Sequence, residues 1–465
     1  MHGNRTEKER TYINQMEELI AFIQNHRNDS TNTLILKRNK WPEIDITTAV
    51  NTIDTYRRLR TKAPSWFSCD RLLFPYKLAA EQCSSEETAL HKARLAARIH
   101  QLSQPDYTNT SEESKRKFKI ADLTSGMGID DWAFCQVADH VHYNDMNPDL
   151  VNATQHNFAE IGVKNASFSN LRIEPGTLTE DFDADIIFAD PARRSSDGKK
   201  VFLIEDCAPD ILGLTDEIFT HARHLLLKLS PMADITMACE RLGDHCREVH
   251  IVGLKGECKE LLIWMDRDWH GSYTIYVDEI VPSGCQVFSF EPSAETEATP
   301  DIVPAGAFPV MKEVPSEYNF DESLSGLLLF EPGKALMKSG AFKLICQEFG
   351  LQALSASTHL YIARRPKDGL SPEGEIFLDR LLCFGKVFEI LTVFEYNKKN
   401  AVKAGKQCCI GCVTVKNLPI KSDTLRKTMK LSGASAYDHF FACQTANLGN
   451  ILIYTSRLYN ESSRP

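Results

Sequence analysis

Along the first hundred residues, apolar side chains return every three or four positions. EKERTYINQMEELIAFIQNH (7–26) and ITTAVNTIDTYRRLR (46–60) show this spacing. SSEETALHKARLAARIHQL (84–102) adds the Ser84/Glu87 spacing of a capping box, so three amphipathic helices are predicted. The polar run TNTSEESKRK (108–117) reads as a linker. From Phe118 the period changes to short apolar runs separated by helical stretches, the pattern of βα units around a parallel sheet. KIADLT (119–124), HVHYND (140–145), ADIIFAD (184–190) and ADITMA (233–238) are the strand candidates, and DLVNATQHNFAEIG is a helix closed by Gly162. REVHIVGL and ECKELLIWM follow as a hairpin about Lys255 and Gly256, with no helix between them.

Beyond them, EPSAETEATPDIVPAG (291–306) reads as a linker or exposed loop, and an α+β stretch follows that includes LSGLLLFEPGKALMKSGAFKLICQEFG and STHLYIARR. The last part predicts strand CCIGCVTV, helix SDTLRKTMKLSG, and strands DHFFACQT and NILIYTS, a small βαββ unit with a basic helix.

Composition narrows the class. The chain has 465 residues, 43% hydrophobic and 25% charged, an ordinary globular composition at a length that asks for two to four domains. Its N-terminus is charged from the start and no run of about 18 apolar residues follows, so a cytoplasmic protein without a membrane span is expected. The 14 scattered cysteines are expected to be reduced. A net charge of −10 argues against a surface that coats nucleic acid as a whole. From Val387 to Pro465, however, eleven Lys and Arg stand against five Asp and Glu, a local +6 that leaves −16 for the remainder. That is the layout of a tethered nucleic-acid-binding appendage, or of a lysine-rich solvated face.

The densest chemistry lies in ADLTSGMGID. A strand ending in Asp122 runs into Gly126 and Gly128, where a cofactor packs against backbone that a Cβ would block. Asp145, at the tip of the second strand, is placed to accept both ribose hydroxyls of an adenosine. A dinucleotide fingerprint needs a third glycine where this chain has Asp131, and a carboxylate at a helix N-terminus would repel a pyrophosphate. S-adenosylmethionine, which carries an ammonium and a sulfonium and no phosphate, is therefore the expected cofactor. The fourth strand ends in DPARR, where Asp190 and Pro191 match the start of an Asp/Asn-Pro-Pro-aromatic tetrapeptide and Ala192 and Arg193 do not. Arg193 and Arg194 either hold phosphate or a base face or pair with nearby carboxylates. Cys207 is weighed as a nucleophile for cytosine chemistry and read as a buried structural cysteine. Cys409, Cys412, His439 and Cys443 contain a CxxC pair, but the pairs are too far apart for ordinary finger spacing, and no metal is expected.

Taken together these segments resemble bacterial class I methyltransferases that carry a C-terminal THUMP-like domain, often with a small ferredoxin-like domain between. The resemblance rests on APSWF (63–67), EQCSSEETALHKA (81–93), DLTSGMGID (122–130), DMNPDL (145–150), DPARR (190–194), IEDCAP (204–209), FEPGKALMKSGAF and VKNLPIKSDTLRKTMKL. A parallel sheet that finishes in an antiparallel hairpin also suits that class. The resemblance implies S-adenosylmethionine bound by Asp122, Thr124, Gly126 and Gly128, with the adjoining Met127, and by Asp145 with Met146. It implies a substrate-side role for Asp190, with Pro191 and Arg193 beside it, and RNA, either tRNA or rRNA, as substrate. Two departures stand out: Ser125-Gly126 replaces a Gly-Gly, and the carboxylate usually near the adenine amine falls around Arg172.

The expected architecture is α/β: a helical region (1–110), a Rossmann-like methyltransferase domain (111–271), a ferredoxin-like α+β domain (272–386) and a THUMP-like domain (387–465). Three alternatives stay open at this point: a small-molecule methyltransferase, a catalytically inert RNA-binding adaptor, and an NAD enzyme.

Overall fold

Strands β1 (Lys119–Asp122), β2 (His140–Asn144), β4 (Ile186–Ala189) and β5 (His224–Leu229) are short, apolar and almost wholly buried, as parallel strands covered by helices must be. They are seen in a computed structural model that describes residues 7–104, 117–193, 204–315, 322–365 and 372–459. With β3 (Ala166–Ser169), these strands pair in parallel in the order β3-β2-β1-β4-β5. Then β7 (Glu257–Asp266) runs antiparallel against β5, with its hairpin partner β6 (Cys246–Leu254) outside it. Seven strands of this nine-stranded sheet, in the order 3-2-1-4-5-7-6 with strand 7 reversed, have the topology of the Rossmann-like class I methyltransferase fold. Lys255 (φ 54°) and Gly256 (φ 76°) close the β6–β7 hairpin, both left-handed as its two-residue turn requires.

One strand expectation is corrected. ADITMA is not a strand: residues Ile235–Leu242 form a helix, and the fifth strand is HLLLKL. Asp234 decides it, because its carboxylate caps the helix by accepting the Met237 N–H at 2.9 Å. A single Ile-Thr pair carries too little β-branched bulk to outweigh that cap.

The helices α1 (Glu7–His26), α2 (Ile46–Lys62) and α3 (Glu86–Leu102) form where the periodicity puts them. Asp45 caps α2 by accepting from the Thr47 and Thr48 amides. The cap of α3 is Ser85, which accepts from Thr88 N–H at 3.3 Å, and not Ser84; the Ser84 hydroxyl has charged partners instead. Trp66, 1% exposed, packs against the rings of Phe74, Trp132 and Phe158. The helical region and the βα units thus share one core, and together with the base of the β6–β7 hairpin they make one compact unit (1–249 and 261–272). The predicted linker 108–117 falls, but for Lys117, outside the described residues.

The second unit (250–260 and 273–465) holds a hairpin of β8 (Thr274–Val281) and β9 (Gly284–Phe290) and a seven-stranded sheet. That sheet takes β10 (Leu327–Pro332), β11 (Gln352–Ala353), β12 (Tyr361–Arg364), β13 (Gly385–Glu395), β14 (Cys412–Lys416), β15 (Asp438–Gln444) and β16 (Asn450–Arg457), in the order β11-β12-β10-β13-β16-β15-β14. The βαββ reading of the last part holds, with helix Ser422–Met429 between a parallel β14–β15 pair and β16 antiparallel to β15. Its first strand starts only at Cys412, because Cys408 ends a helix and Cys409 is left-handed. Strand β13 runs across residue 387 and pairs with β16, so the middle and terminal segments build a single sheet. Among the described residues no helix is long and apolar enough to cross a membrane.

Candidate active site

Strand register sets the site. Asp122 is level with Tyr143 on β2 and with Phe188 on β4, so Asp145 and Asp190 each lie two residues further along, on either side of β1, at its C-terminal edge. That edge is where ligands bind in open α/β sheets.

Between them the loop 123–128 is pinned at many points. Ser125 exchanges bonds with Asn144: its N–H goes to the Asn144 carbonyl at 2.9 Å, and its Oγ accepts the Asn144 N–H at 3.1 Å. Gly126 (φ 57°) donates its N–H to Asp145 Oδ2 at 3.0 Å, and Tyr143 Oη donates to the Gly126 carbonyl at 2.6 Å. Among the described residues a Cβ built on Gly126 meets no atom within 4 Å, so its face is open to a ligand. Gly128 (φ 78°) is different: a Cβ there would lie 2.6 Å from Thr154 Cγ2 and against the Phe158 ring. Its absence of a side chain serves helix packing. Asp145 also accepts the Asn147 N–H at 2.8 Å, and burial, opposed by these two amides, raises its pKa.

The remaining acids of the loop turn inward. Asp122, 1% exposed, accepts the Thr124 N–H at 2.7 Å; burial first, then the Asp131 charge, pushes its pKa well above its ordinary value. Asp131 is fully buried, takes the Ser125 hydroxyl at 3.1 Å and leaves Oδ2 unpaired; burial and then the Asp130 charge raise it likewise. Asp131 is thus not exposed at the helix start, as its sequence position suggests, but buried and bonded to Ser125. Met127 is buried and Met146 is 60% exposed beside Asp145.

Thr124 joins the loop to the fourth strand, because its Oγ1 accepts the Asp190 N–H at 2.7 Å. The Asp190 carboxylate is gripped by Lys228 on β5, with Nζ 2.6 Å from Oδ2. Lys228 Nζ also reaches Ser84 Oγ at 3.4 Å, and Ser84 in turn bonds Asp130 and the buried Lys92. Sequence reasoning missed Ser84, Lys92 and Lys228. The signal was present: Lys92 interrupts the buried face Ala89, Ala93, Ala96 of α3, and Lys228 is the one ionised side chain inside HLLLKL.

Pro191 is buried and Ala192 pairs with Ala208 in a two-residue ladder. The side chain of Arg193 and all of Arg194 lie outside the described residues. Cys207 is fully buried, which removes it as a nucleophile. After β3, Arg172 pairs with Glu174, while Asn170 donates to the Asp145 carbonyl at 2.7 Å. Of the CxxC candidates, Cys409 is exposed at a helix end, and His439 shares a 2.8 Å hydrogen bond with Thr414. Away from this edge, Asp244, His245 and His270 bring donor atoms within 4.8 Å of one another.

A ferredoxin-like domain family matches residues 328–369, within the sheet of the second unit. No curated protein sequence matches the chain. A protein of Porphyromonas gingivalis W83, described provisionally as a methyltransferase, matches over 98% of this chain and 100% of its own, with a TM-score of 0.74 and 23% identity. At that identity the likeness establishes the fold. A T. thermophilus 16S rRNA N2 G1207 methyltransferase, in complex with AdoMet and guanosine, matches 40% of this chain and 44% of its own at 14% identity and a TM-score of 0.28. An rRNA methylase of Streptococcus thermophilus covers 37% of this chain and 94% of its own at 10% identity and a TM-score of 0.26. Scores that low carry no weight for function.

Proposed function

We propose that this chain is an S-adenosylmethionine-dependent methyltransferase whose acceptor is RNA, either tRNA or rRNA, and that it works in the cytoplasm. The observation that carries the reading is the pair of carboxylates, Asp145 and Asp190, flanking an open glycine backbone at the C-terminal edge of a class I sheet. The residues fit the cofactor. Each Asp145 oxygen spends one lone pair on a backbone amide, so each keeps capacity for a ribose hydroxyl. Gly126 gives bare backbone for close approach, and Met146 stands exposed beside the ribose acid as an apolar rest for the adenine. When bound, S-adenosylmethionine supplies an electrophilic methyl group on a sulfonium.

The chain's own residues then align an acceptor and handle one proton. Asp190 is fixed through its backbone by Thr124 and through Oδ2 by Lys228, and among the described residues its Oδ1 is left to accept an N–H of the acceptor. It is the group on hand to orient that N–H and to take its proton. Pro191 stiffens the strand end, and Arg193 belongs to the acceptor side. The RNA reading draws on the +6 charge of residues 387–465, which we read as the THUMP-like part of the second unit.

Calorimetry with S-adenosylmethionine, S-adenosylhomocysteine and NAD tests the cofactor. Labelled cofactor incubated with total RNA, and separately with a metabolite extract, tests the acceptor. Binding of NAD alone sinks the first half of the reading; label in metabolites and none in RNA sinks the second.

A further inference from the structure

Ser84 with Lys92, Asp130, Asp190 and Lys228 come from four segments and meet in one polar cluster behind the acceptor edge. A serine hydroxyl has one proton to give and two lone pairs. Ser84 Oγ uses all of them: it donates to Asp130 Oδ2 at 2.8 Å and accepts from Lys92 Nζ at 3.0 Å and from Lys228 Nζ at 3.4 Å. Lys92 Nζ also lies 3.2 Å from Asp130 Oδ1. Two ammonium and two carboxylate groups balance formally. Burial by itself would raise Asp130, yet the Lys92 and Lys228 charges outweigh it and its pKa is lowered. Lys228 therefore acts on two carboxylates, one at each side of it.

The cluster opens in one direction. Side-chain exposure climbs from 0% at Lys92 through 12% at Asp130 and 11% at Lys228 to 40% at Asp190. Register puts Lys228 level with Asp190, because their neighbours Leu227 and Ala189 are partners. A buried ion pair roughly breaks even against apolar packing, so fold stability alone gives weak reason for an ammonium inside this strand. A carboxylate that must keep one oxygen fixed and the other open gives a strong one.

We propose that Lys228 is a positioning residue of the acceptor site: it fixes Asp190 by Oδ2, leaves Oδ1 to an acceptor N–H, and offsets the carboxylate charge beside the sulfonium. Ser84, with Lys92 and Asp130 behind it, holds the ammonium in place from the helical region. This rests on the methyltransferase reading. Asp190 touches the acceptor; Lys228 works through Asp190.

The charge balance has a consequence that needs no acceptor to measure. S-adenosylmethionine carries one more positive charge than S-adenosylhomocysteine, so the ratio of their affinities reads the local charge. In Lys228→Met the unbalanced Asp190 should raise the preference for S-adenosylmethionine on the order of fivefold. In Asp190→Asn the unbalanced ammonium should lower it by a similar factor, and the double variant should return near the parent ratio. Lys228→Arg keeps the charge and should keep the ratio. Transfer of labelled methyl to RNA should fall at least tenfold in Lys228→Met and recover in Lys228→Arg. If Lys228→Met does not fold, the Asp190→Asn and Lys228→Arg arms still decide. A ratio unmoved in Asp190→Asn, or moved equally by Arg and Met, overturns the proposal and leaves Lys228 a structural residue. A parent that binds neither compound overturns the underlying methyltransferase reading, a result that no variant is needed to recognise.

Discussion

Gly126 hands its backbone N–H to Asp145 Oδ2 at 3.0 Å, so the glycine loop and the tip of β2 are one object. The carboxylate that is placed for a ribose also fixes the left-handed glycine whose open face lies beside it. Site and loop geometry are therefore inseparable at this point.

Asp145→Ala should weaken S-adenosylmethionine binding by about 1.5 to 3 kcal/mol, because a charge-assisted bidentate interaction disappears, and further through a loosened loop. Asp145→Asn, which keeps one oxygen for an amide or a hydroxyl, should fall between parent and alanine. Calorimetry checks both. An alanine variant with parent affinity would show that Asp145 does not face the ribose.

The two loop glycines should separate in mutagenesis. Gly128→Ala drives a methyl group to 2.6 Å from Thr154 Cγ2 at a φ of 78°, so overpacking of about 1 to 3 kcal/mol adds to left-handed strain of about 1 to 2 kcal/mol. Gly126→Ala meets strain without a clash, and its methyl enters the open face instead. The expected result is a larger drop in melting temperature for Gly128→Ala and a larger loss of cofactor affinity relative to stability for Gly126→Ala. The reverse order would place the ligand away from Gly126.

Much of this is legible in the residues, and the exceptions have physical causes. The strands KIADLT, HVHYND and ADIIFAD, the hairpin about Lys255-Gly256 and the helix N-termini follow from period and turn chemistry. ADITMA reads as a strand and is a helix because one capping aspartate outweighs two β-branched residues. Ser84 reads as a cap because spacing cannot tell a serine that caps a helix from its neighbour that bonds two lysines. Asp131 looks like a charge at a helix start, and only packing reveals that its carboxyl is buried. The Lys228–Asp190 pair joins residues 38 apart, and the register that makes them neighbours is a property of the sheet.

Stability should fall as pH rises from about 5 to about 8, in part through Glu279. Burial first, and then the Asp278 charge, lift the Glu279 pKa from 4.5 to about 7. Its carboxyl lies over Gly253, where a Cβ would sit 2.2 Å from Oε2, and Asp278 is itself paired with His250 at 2.7 Å. A raised folded-state pKa means that the contribution is whole below the unfolded value and is lost as pH climbs through the folded one. At 4% exposure the full excursion corresponds to about 3 kcal/mol. Glu279→Gln should remove that slope and melt higher than the parent at pH 8. Parallel melting curves from pH 5 to pH 8 for the two proteins would refute the assignment.

The basic helix of the second unit offers the sharpest test of RNA as partner. Leu425 and Met429 are fully buried and anchor helix Ser422–Met429 to its sheet, so the opposite side faces outward. Lys427 is exposed there, with Arg426 half-buried beside it and Lys421 at the N-cap. Lys430 is not within the helix as its sequence position suggests; it caps the C-terminus in the left-handed conformation at φ 60° and is exposed. Arg426, Lys427 and Lys430 therefore sit at one helix end, close enough to follow a phosphate backbone together. Removing a single phosphate-binding cation should flatten the slope of log K against log salt by about 0.7 to 0.9. Replacing all three by Gln should thus weaken RNA binding, reduce that slope by about 2, and leave melting temperature and S-adenosylmethionine affinity nearly unchanged, because Leu425 and Met429 anchor the helix while Lys427 and Lys430 are exposed and Arg426 is only half-buried. Filter binding across a salt series, with calorimetry on the same preparations, reads all of these. A triple variant that binds RNA with parent affinity and parent slope would make this helix an ordinary solvated face and move the RNA surface elsewhere on the chain.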